Sequence, residues 1–142
     1  MKIATWNVNG IRALRPDVLL PYTSLPNVLC GDLNVARTEM DVHPKERKPR
    51  TIGQLPEERE LLERIISRGL VDLGRALDPD NEQLFTWWPP WRNMRERNIG
   101  WRLDYILASA SLAARATRCP VYREVGTSDH GPVVAEFEAD HS

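Results

Sequence analysis

The stretch that most constrains this chain is Val28-Leu29-Cys30-Gly31-Asp32-Leu33-Asn34. Val28 to Cys30 reads as a buried strand that stops at Gly31, and a carboxylate and an amide follow two residues apart. Positions i and i+2 of a strand share a face, so Asp32 and Asn34 are expected to point together into the crevice at the strand's carboxyl end. Open α/β sheets carry their chemistry there. Gly, Asp and Asn are also ordinary turn formers, and a surface turn is the competing reading.

The remaining elements must be arranged around this strand. Residues 2–6 read as an earlier strand that ends in the polar loop Asn7-Val8-Asn9-Gly10, which makes Asn7 another strand-end amide. Only Ile11 to Cys30 separates the two strands, and a parallel connection needs a dozen or more residues, so one crossover fits and two do not. Arg12 to Leu20 offers a short helix broken by Pro16, or a strand at Asp17 to Leu20, before a loop bracketed by Pro21 and Pro26. Val35 to Leu55 is a long polar segment with a basic middle, His43 to Arg50, and a loop of this length is expected to be functional or mobile.

Pro56 and the acids after it open the clearest helix, with a core-facing stripe of Leu61, Leu62, Ile65 and Ile66 and a stop at Gly69. Leu70 to Leu73 reads as extended and Pro79-Asp80-Asn81 as a turn. Strands are expected at Arg102 to Leu107, Thr117 to Val121 and Val133 to Phe137, with a short helix or loop from Ala108 to Ala116. The pattern is α/β, in one domain whose 142 residues can bury a core without disulfides.

Composition limits the partners. A net charge of −1 gives no global attraction to polyanions, so nucleic-acid binding must come from local clusters of the 19 Lys and Arg. Such clusters occur at 45–50 and 92–102. Across residues 84–105, which contain the second cluster, Phe85, Trp87, Trp88, Trp91 and Trp101 are interleaved with Arg92, Arg95, Arg97 and Arg102, a mixture suited to phosphates and to base or sugar faces; several of the tryptophans read equally well as core. Cys30 and Cys119 lack metal spacing, and a reduced, cytoplasmic setting is expected. No apolar run approaches membrane length, no signal pattern opens the chain, and no membrane partner is expected.

Polar groups accumulate at strand ends: Asn7, the pair Asp32 and Asn34, Asp104, and Asp129 with His130 in Ser128-Asp129-His130-Gly131-Pro132. A carboxylate such as Asp104 can fix the ring of His130. A carboxylate–amide–histidine set without a Ser or Cys nucleophile suits phosphodiester hydrolysis by water, assisted by a hard divalent cation.

Four ordered motifs carry a more specific resemblance: residues 2–12 (KIATWNVNGIR), residues 31–36, Gly100-Trp101-Arg102-Leu103-Asp104-Tyr105, and Ser128 to Pro132. From Val28 onward the sequence resembles, almost continuously, the exonuclease III type of apurinic/apyrimidinic endonuclease in the endonuclease/exonuclease/phosphatase superfamily. The resemblance implies an α/β (α+β) two-sheet sandwich of the DNase I-like type with its first half strongly reduced. It implies a nuclease of base-excision repair that cleaves double-stranded DNA 5′ to abasic sites or degrades it from 3′ ends. By position, Asp32, Asn34, Asp104 and His130 would be catalytic: Asp32 activates water or handles the leaving-group proton, Asn34 orients, His130 contacts the scissile phosphate and Asp104 orients its ring. Asn7, Asp32, Asn34, Asp129 and His130 would surround Mg²⁺, with Mn²⁺ an alternative. Trp87, Trp101 and Leu103 would form the pocket for a base-less sugar, and Arg92 and Asn98 would be DNA contacts.

The sequence also departs from that family. Pro16 to Leu20 resembles the start of a strand that in the family ends in Leu-Gln-Glu, but Pro21-Tyr22-Thr23 follows here, so the metal-binding glutamate has no counterpart. The stretch bearing the family's active-site tyrosine is missing too, and Tyr22 does not align with it. The chain reads as a single family domain with a large internal deletion. Exposed sheet edges and self-association are expected to follow, as is weaker metal binding. A DNA-binding remnant without catalysis, or a fragment that needs a partner to fold, are the alternative readings. A superfamily nuclease or phosphatase acting on RNA, nucleotides or phosphoinositides is less favoured by the Trp- and Arg-rich segment.

Overall fold

The computed structural model describes the backbone of residues 2–5 and all of residues 26–139. Asn7, the Asn7–Gly10 loop and the segment from Arg12 to Tyr22 lie outside the described residues, as does the site of the expected glutamate. Among the described residues are six strands and three α-helices: β1 (Lys2–Thr5), β2 (Asn27–Asp32), α1 (Pro56–Ile66), β3 (Leu70–Asp72), α2 (Leu73–Leu77), β4 (Asp104–Ser109), α3 (Ala110–Ala113), β5 (Ala116–Arg118) and β6 (Glu136–Phe137).

β1 and β2 pair in parallel, in keeping with a single crossover, and β4 runs antiparallel to both β2 and β3, giving the order β1-β2-β4-β3. β5 and β6 form a second, antiparallel sheet. Alternation along the central strands decides what covers each face. Leu29, Leu70 and Leu107 face one way and pack with Leu33, Val35 and Tyr105 against Leu62 and Ile65 of α1. Val28, Cys30, Val71, Ile106 and Ala108 face the other way, against Leu112, Cys119 and the Val133, Ala135 and Phe137 side of the small sheet. The main sheet is therefore sandwiched between a helix and a second sheet.

The helix follows its sequence signals: Pro56 at its start, Glu57 and Glu58 in the first turn, Leu62 and Ile65 buried, and Gly69 beyond its end at φ +99°. Elsewhere the boundaries shift. β4 begins at Asp104 rather than Arg102 and runs on to Ser109, because Ala108 and Ser109 pair with Val71 and Leu70. The strand expected at Thr117 to Val121 shortens to Ala116–Arg118, with Val121 keeping only an isolated bridge to Val133. The segment from Val35 to Leu55 is no loose loop. Val35, Ala36 and Val42 are fully buried, two 3₁₀ turns cover Glu39–Asp41 and Pro44–Glu46, and Gln54 is buried with its side chain on the Lys48 N–H and the Glu46 carbonyl.

A buried ion network joins that segment to the sheet. Arg102, 3% exposed, donates from Nε to Asp41 Oδ1 at 2.7 Å and from Nη1 and Nη2 to Asp72 at 2.8 and 2.7 Å. Arg75 reaches Asp41 at 2.6 Å and Arg37 reaches Asp72 at 3.1 Å, so each buried carboxylate faces two guanidinium groups. The Arg102 guanidinium lies over the Tyr105 ring at 4.7 Å, and the Tyr105 hydroxyl donates to the Val35 carbonyl at 2.7 Å. The sequence places Arg102 among phosphate-binding arginines; the structure corrects this, since its donors are spent on Asp41 and Asp72.

Candidate active site

β2 and β4 bring the first two carboxylates together, because Asp32 is paired with Asp104 in their antiparallel register. His130 arrives from the long connection between β5 and β6 of the small sheet, tied on by Trp87, whose backbone bridges Trp101 on one side and His130 on the other. Gly100 is required for this stitching: a Cβ there would lie 2.4 Å from the Trp87 carbonyl oxygen. Ligand atoms of Asp32, Asp104 and His130 all fall within 4.8 Å of one another.

Hydrogen bonds fix the orientation. His130 Nδ1 donates to Asp104 Oδ2 at 2.8 Å, which leaves Nε2 facing Asp32 Oδ2 at 3.8 Å. Thr86, fully buried, donates from Oγ1 to the same Asp104 oxygen at 2.7 Å while accepting the N–H groups of Leu103 and Asp104 at 2.9 and 3.0 Å. One hydroxyl thus uses its proton and both lone pairs on the strand end that carries Asp104. No motif marks Thr86, and its role was not legible in the sequence. Thr86→Val, similar in shape, leaves the two N–H groups unsatisfied, and a loss of about 1–3 kcal/mol is expected in urea unfolding.

Asp32 and Asn34 do not share a strand face. The strand ends at Asp32, Asn34 takes a left-handed φ of 54°, and its N–H donates to Asp32 Oδ1 at 2.8 Å. The turn reading and the site reading therefore hold together: the turn pins one oxygen of Asp32 and leaves Oδ2 toward His130, with the Asn34 side chain exposed. Asp129 is exposed beside the cluster, and its Oδ2 accepts the Trp87 indole N–H at 3.0 Å.

The electrostatics follow from this crowding. Burial pushes the Asp32 carboxyl above its ordinary value, and the Asp104 and Asp129 charges add to the effect against the Asn34 N–H and His130. The Asp104 hydrogen bond holds the His130 imidazole protonated to higher pH than usual, against its partial burial. The Trp87 hydrogen bond keeps Asp129 below the usual range. Three carboxylates around one histidine are an excess of hard, negative oxygen donors, a set that fits a Mg²⁺-like ion.

Around the cluster, Trp87 and Trp101 meet edge to face with centroids 5.5 Å apart, and Trp101 is half-buried with an indole N–H that has no partner among the described residues. Leu103 is 6% exposed and gives its carbonyl to the Leu33 N–H. Asn98 accepts the Trp88 indole N–H at 3.0 Å, and Trp88 is core. Trp91, 56% exposed, and the exposed Arg92 and Arg97 form the basic-aromatic surface that remains. Arg92, Asn93 and Asn98 all take φ near +50°, so the turn that presents this surface holds several residues in an unfavourable backbone conformation. Arg95 is not part of that surface, since its guanidinium is turned onto backbone carbonyls.

The sequence pattern of the Endonuclease/Exonuclease/phosphatase family matches residues 11–130. The chain belongs to this family. It is 40% identical over 108 residues to an exodeoxyribonuclease of Bacillus subtilis, covering 76% of this chain and 43% of that one. It is 38% identical over 108 residues to the DNA repair nuclease APEX1 of Danio rerio, covering 76% and 35%. Among solved structures, an AP endonuclease from Archaeoglobus fulgidus superposes with a TM-score of 0.82 at 29% identity, covering 91% of this chain and 52% of that one. The chain thus spans less than half the length of these two curated relatives. The DNase I-like sandwich implied by the motifs is the fold observed, as a partial version of it. Among the described residues, no helix is long and apolar enough to cross a membrane.

Proposed function

We propose that this chain is a divalent-metal-dependent DNA phosphodiesterase of base-excision repair, cleaving 5′ to abasic sites, trimming 3′ ends, or both. The observation that carries the reading is the convergence of Asp32, Asp104 and His130 within 4.8 Å at the carboxyl end of β2, beside Asp129 and the Trp87–Trp101 pair.

Asp32 serves as the proton acceptor for the attacking water: partial burial makes it a better base than a free carboxylate, and the Asn34 N–H holds it in place. His130, whose charged form the Asp104 hydrogen bond favours, faces the scissile phosphate and stabilises the negative charge that develops on it. Asp32 and Asp129 would hold a Mg²⁺ or Mn²⁺ ion, with Asn7, Asn34 and His130 as neighbours; when bound, it supplies charge neutralisation at the phosphoryl oxygens. Trp87 and Trp101 offer an aromatic wall to a sugar that lacks its base, and Trp91, Arg92 and Arg97 a surface for the flanking duplex. Without the family's glutamate, metal affinity is expected to be weak and turnover low.

A 5′-labelled duplex carrying one abasic-site analogue, run beside a matched duplex with recessed 3′ ends, tests the proposal. A single product ending at the lesion, or a ladder from the 3′ end, identifies which activity is present, and chelation with EDTA should abolish it. Intact DNA in a stable complex with a cooperatively folded chain would identify a binding remnant instead.

A further inference from the structure

We propose that Arg95 is a positioning residue that sets the placement of Asp129 and His130 for cleavage; the proposal rests on the nuclease reading above for its kinetic consequence, though not for its structural one. The segment from Arg123 to Ser128 leads directly into Asp129 and His130 and is poorly supported by itself. Its residues are mostly exposed, Gly126 takes φ +80°, and the Val125 N–H to Tyr122 carbonyl turn is the one backbone bond it donates among the described residues. A loop with so few internal bonds is expected to sample several positions.

Arg95 supplies what the loop lacks. Nε donates to the Arg123 carbonyl at 2.8 Å, Nη2 to the Val125 carbonyl at 2.7 Å, and Nη1 to the Ser128 carbonyl. The guanidinium is held against the buried Trp88 ring, 4.9 Å from its centroid, and the backbone N–H of Trp88 donates to the Asp129 carbonyl at 3.1 Å. One planar fork therefore fastens three carbonyls of the catalytic loop to the turn that presents Trp91 and Arg92. The same two segments wall an open cavity of about 510 Å³ that includes Trp91, Arg92, Arg95, Thr127, Ser128 and Asp129. The staple acts on the loop side of that cavity, where it fixes the approach of Asp129 and His130 to Asp104.

A lysine keeps the charge but cannot reach three divergent carbonyls, so Arg95→Lys separates positioning from phosphate attraction. Expected for Arg95→Lys is a cooperative melt, faster amide hydrogen exchange confined to residues 121–131, and a kcat lowered roughly tenfold to a hundredfold with KM and the salt dependence of DNA binding unchanged. Guanidinium added to Arg95→Ala should recover part of the lost kcat. Arg92→Ala is the contrast: higher KM, a shallower salt slope, exchange at 121–131 unaltered. The proposal is overturned if Arg95→Lys retains kcat, if it changes KM and salt slope as Arg92→Ala does, or if exchange rises throughout the chain or nowhere. If the parent chain cleaves nothing, the nuclease reading falls, and the exchange at 121–131 still decides whether Arg95 holds this loop.

Discussion

Asp32→Asn is expected to lower Mg²⁺-dependent cleavage by about 10²–10⁴-fold, the range that a positioned general base contributes. The side chain keeps its size, and the amide oxygen can still accept the Asn34 N–H that Asp32 now receives at 2.8 Å. What is lost is the proton acceptor opposite His130 Nε2 and one carboxylate of the metal set. The fold should not suffer, because the raised pKa of Asp32 marks a carboxylate that is less comfortable charged in the folded chain than in the unfolded one. Asparagine also removes its repulsion with Asp104 and Asp129. Equal or higher thermal stability with lost cleavage is therefore the expected pair of results, measured by melting and by single-turnover incision. Cleavage at the parent rate would remove Asp32 from the mechanism.

The largest effect on stability is expected at Arg102. Arg102→Met leaves Asp41 and Asp72 buried with Arg75 and Arg37 alone to face them, and breaking a buried ion network from one side costs about 3–5 kcal/mol. Against a typical total of roughly 5–15 kcal/mol this is a large share. The melting temperature should fall by about 10 °C or more. The acid limb provides a second readout. Burial pushes the Asp41 carboxyl up, but the Arg102 and Arg75 charges and hydrogen bonds more than offset it and hold it below its ordinary value. A depressed folded-state pKa contributes stability that is fully present above the unfolded value of about 3.9 and is lost as pH falls through the folded one. The parent chain should thus lose this contribution below about pH 4. The Arg102→Met curve should be flatter over the same range in urea titrations followed by tryptophan fluorescence. An unchanged acid limb would mean that Asp41 draws its ionic stabilisation from Arg75 alone.

These two residues also show what a sequence displays and what it hides. Asp32 was legible because its signal is local: an apolar run, a glycine, then a carboxylate, with the periodicity of a strand behind it. Even there the geometry of Asn34 escaped, since strand alternation and an Asx turn use the same residue types and only the φ of Asn34 separates them. Arg102 is deceptive in the sequence because its partners are remote, Asp41 at 61 residues and Asp72 at 30. An arginine among tryptophans has the same composition whether its donors meet phosphate or buried carboxylates. Arg95 follows the same pattern, with carbonyl acceptors 28 to 33 residues away. The α1 stripe and the strands β2 and β4 were legible because burial itself sets the pattern of their apolar residues. Thr86 left no mark, as a single hydroxyl has no period.

The geometry around His130 ties these parts into one account. Its ring is set by Asp104, Asp104 by Thr86, the strand end behind Asp104 by Arg102, and the loop that carries His130 by Arg95. Each support comes from a different stretch of chain, so a working site needs the whole of the small sandwich to fold. The measurement that tests this most directly is incision of a duplex bearing one abasic-site analogue by the folded chain, titrated with Mg²⁺, with Asp32→Asn alongside. The account predicts incision that rises with Mg²⁺, saturates only at high concentration and disappears in the variant. A chain that melts cooperatively and binds the duplex yet leaves it intact at every Mg²⁺ concentration would contradict it.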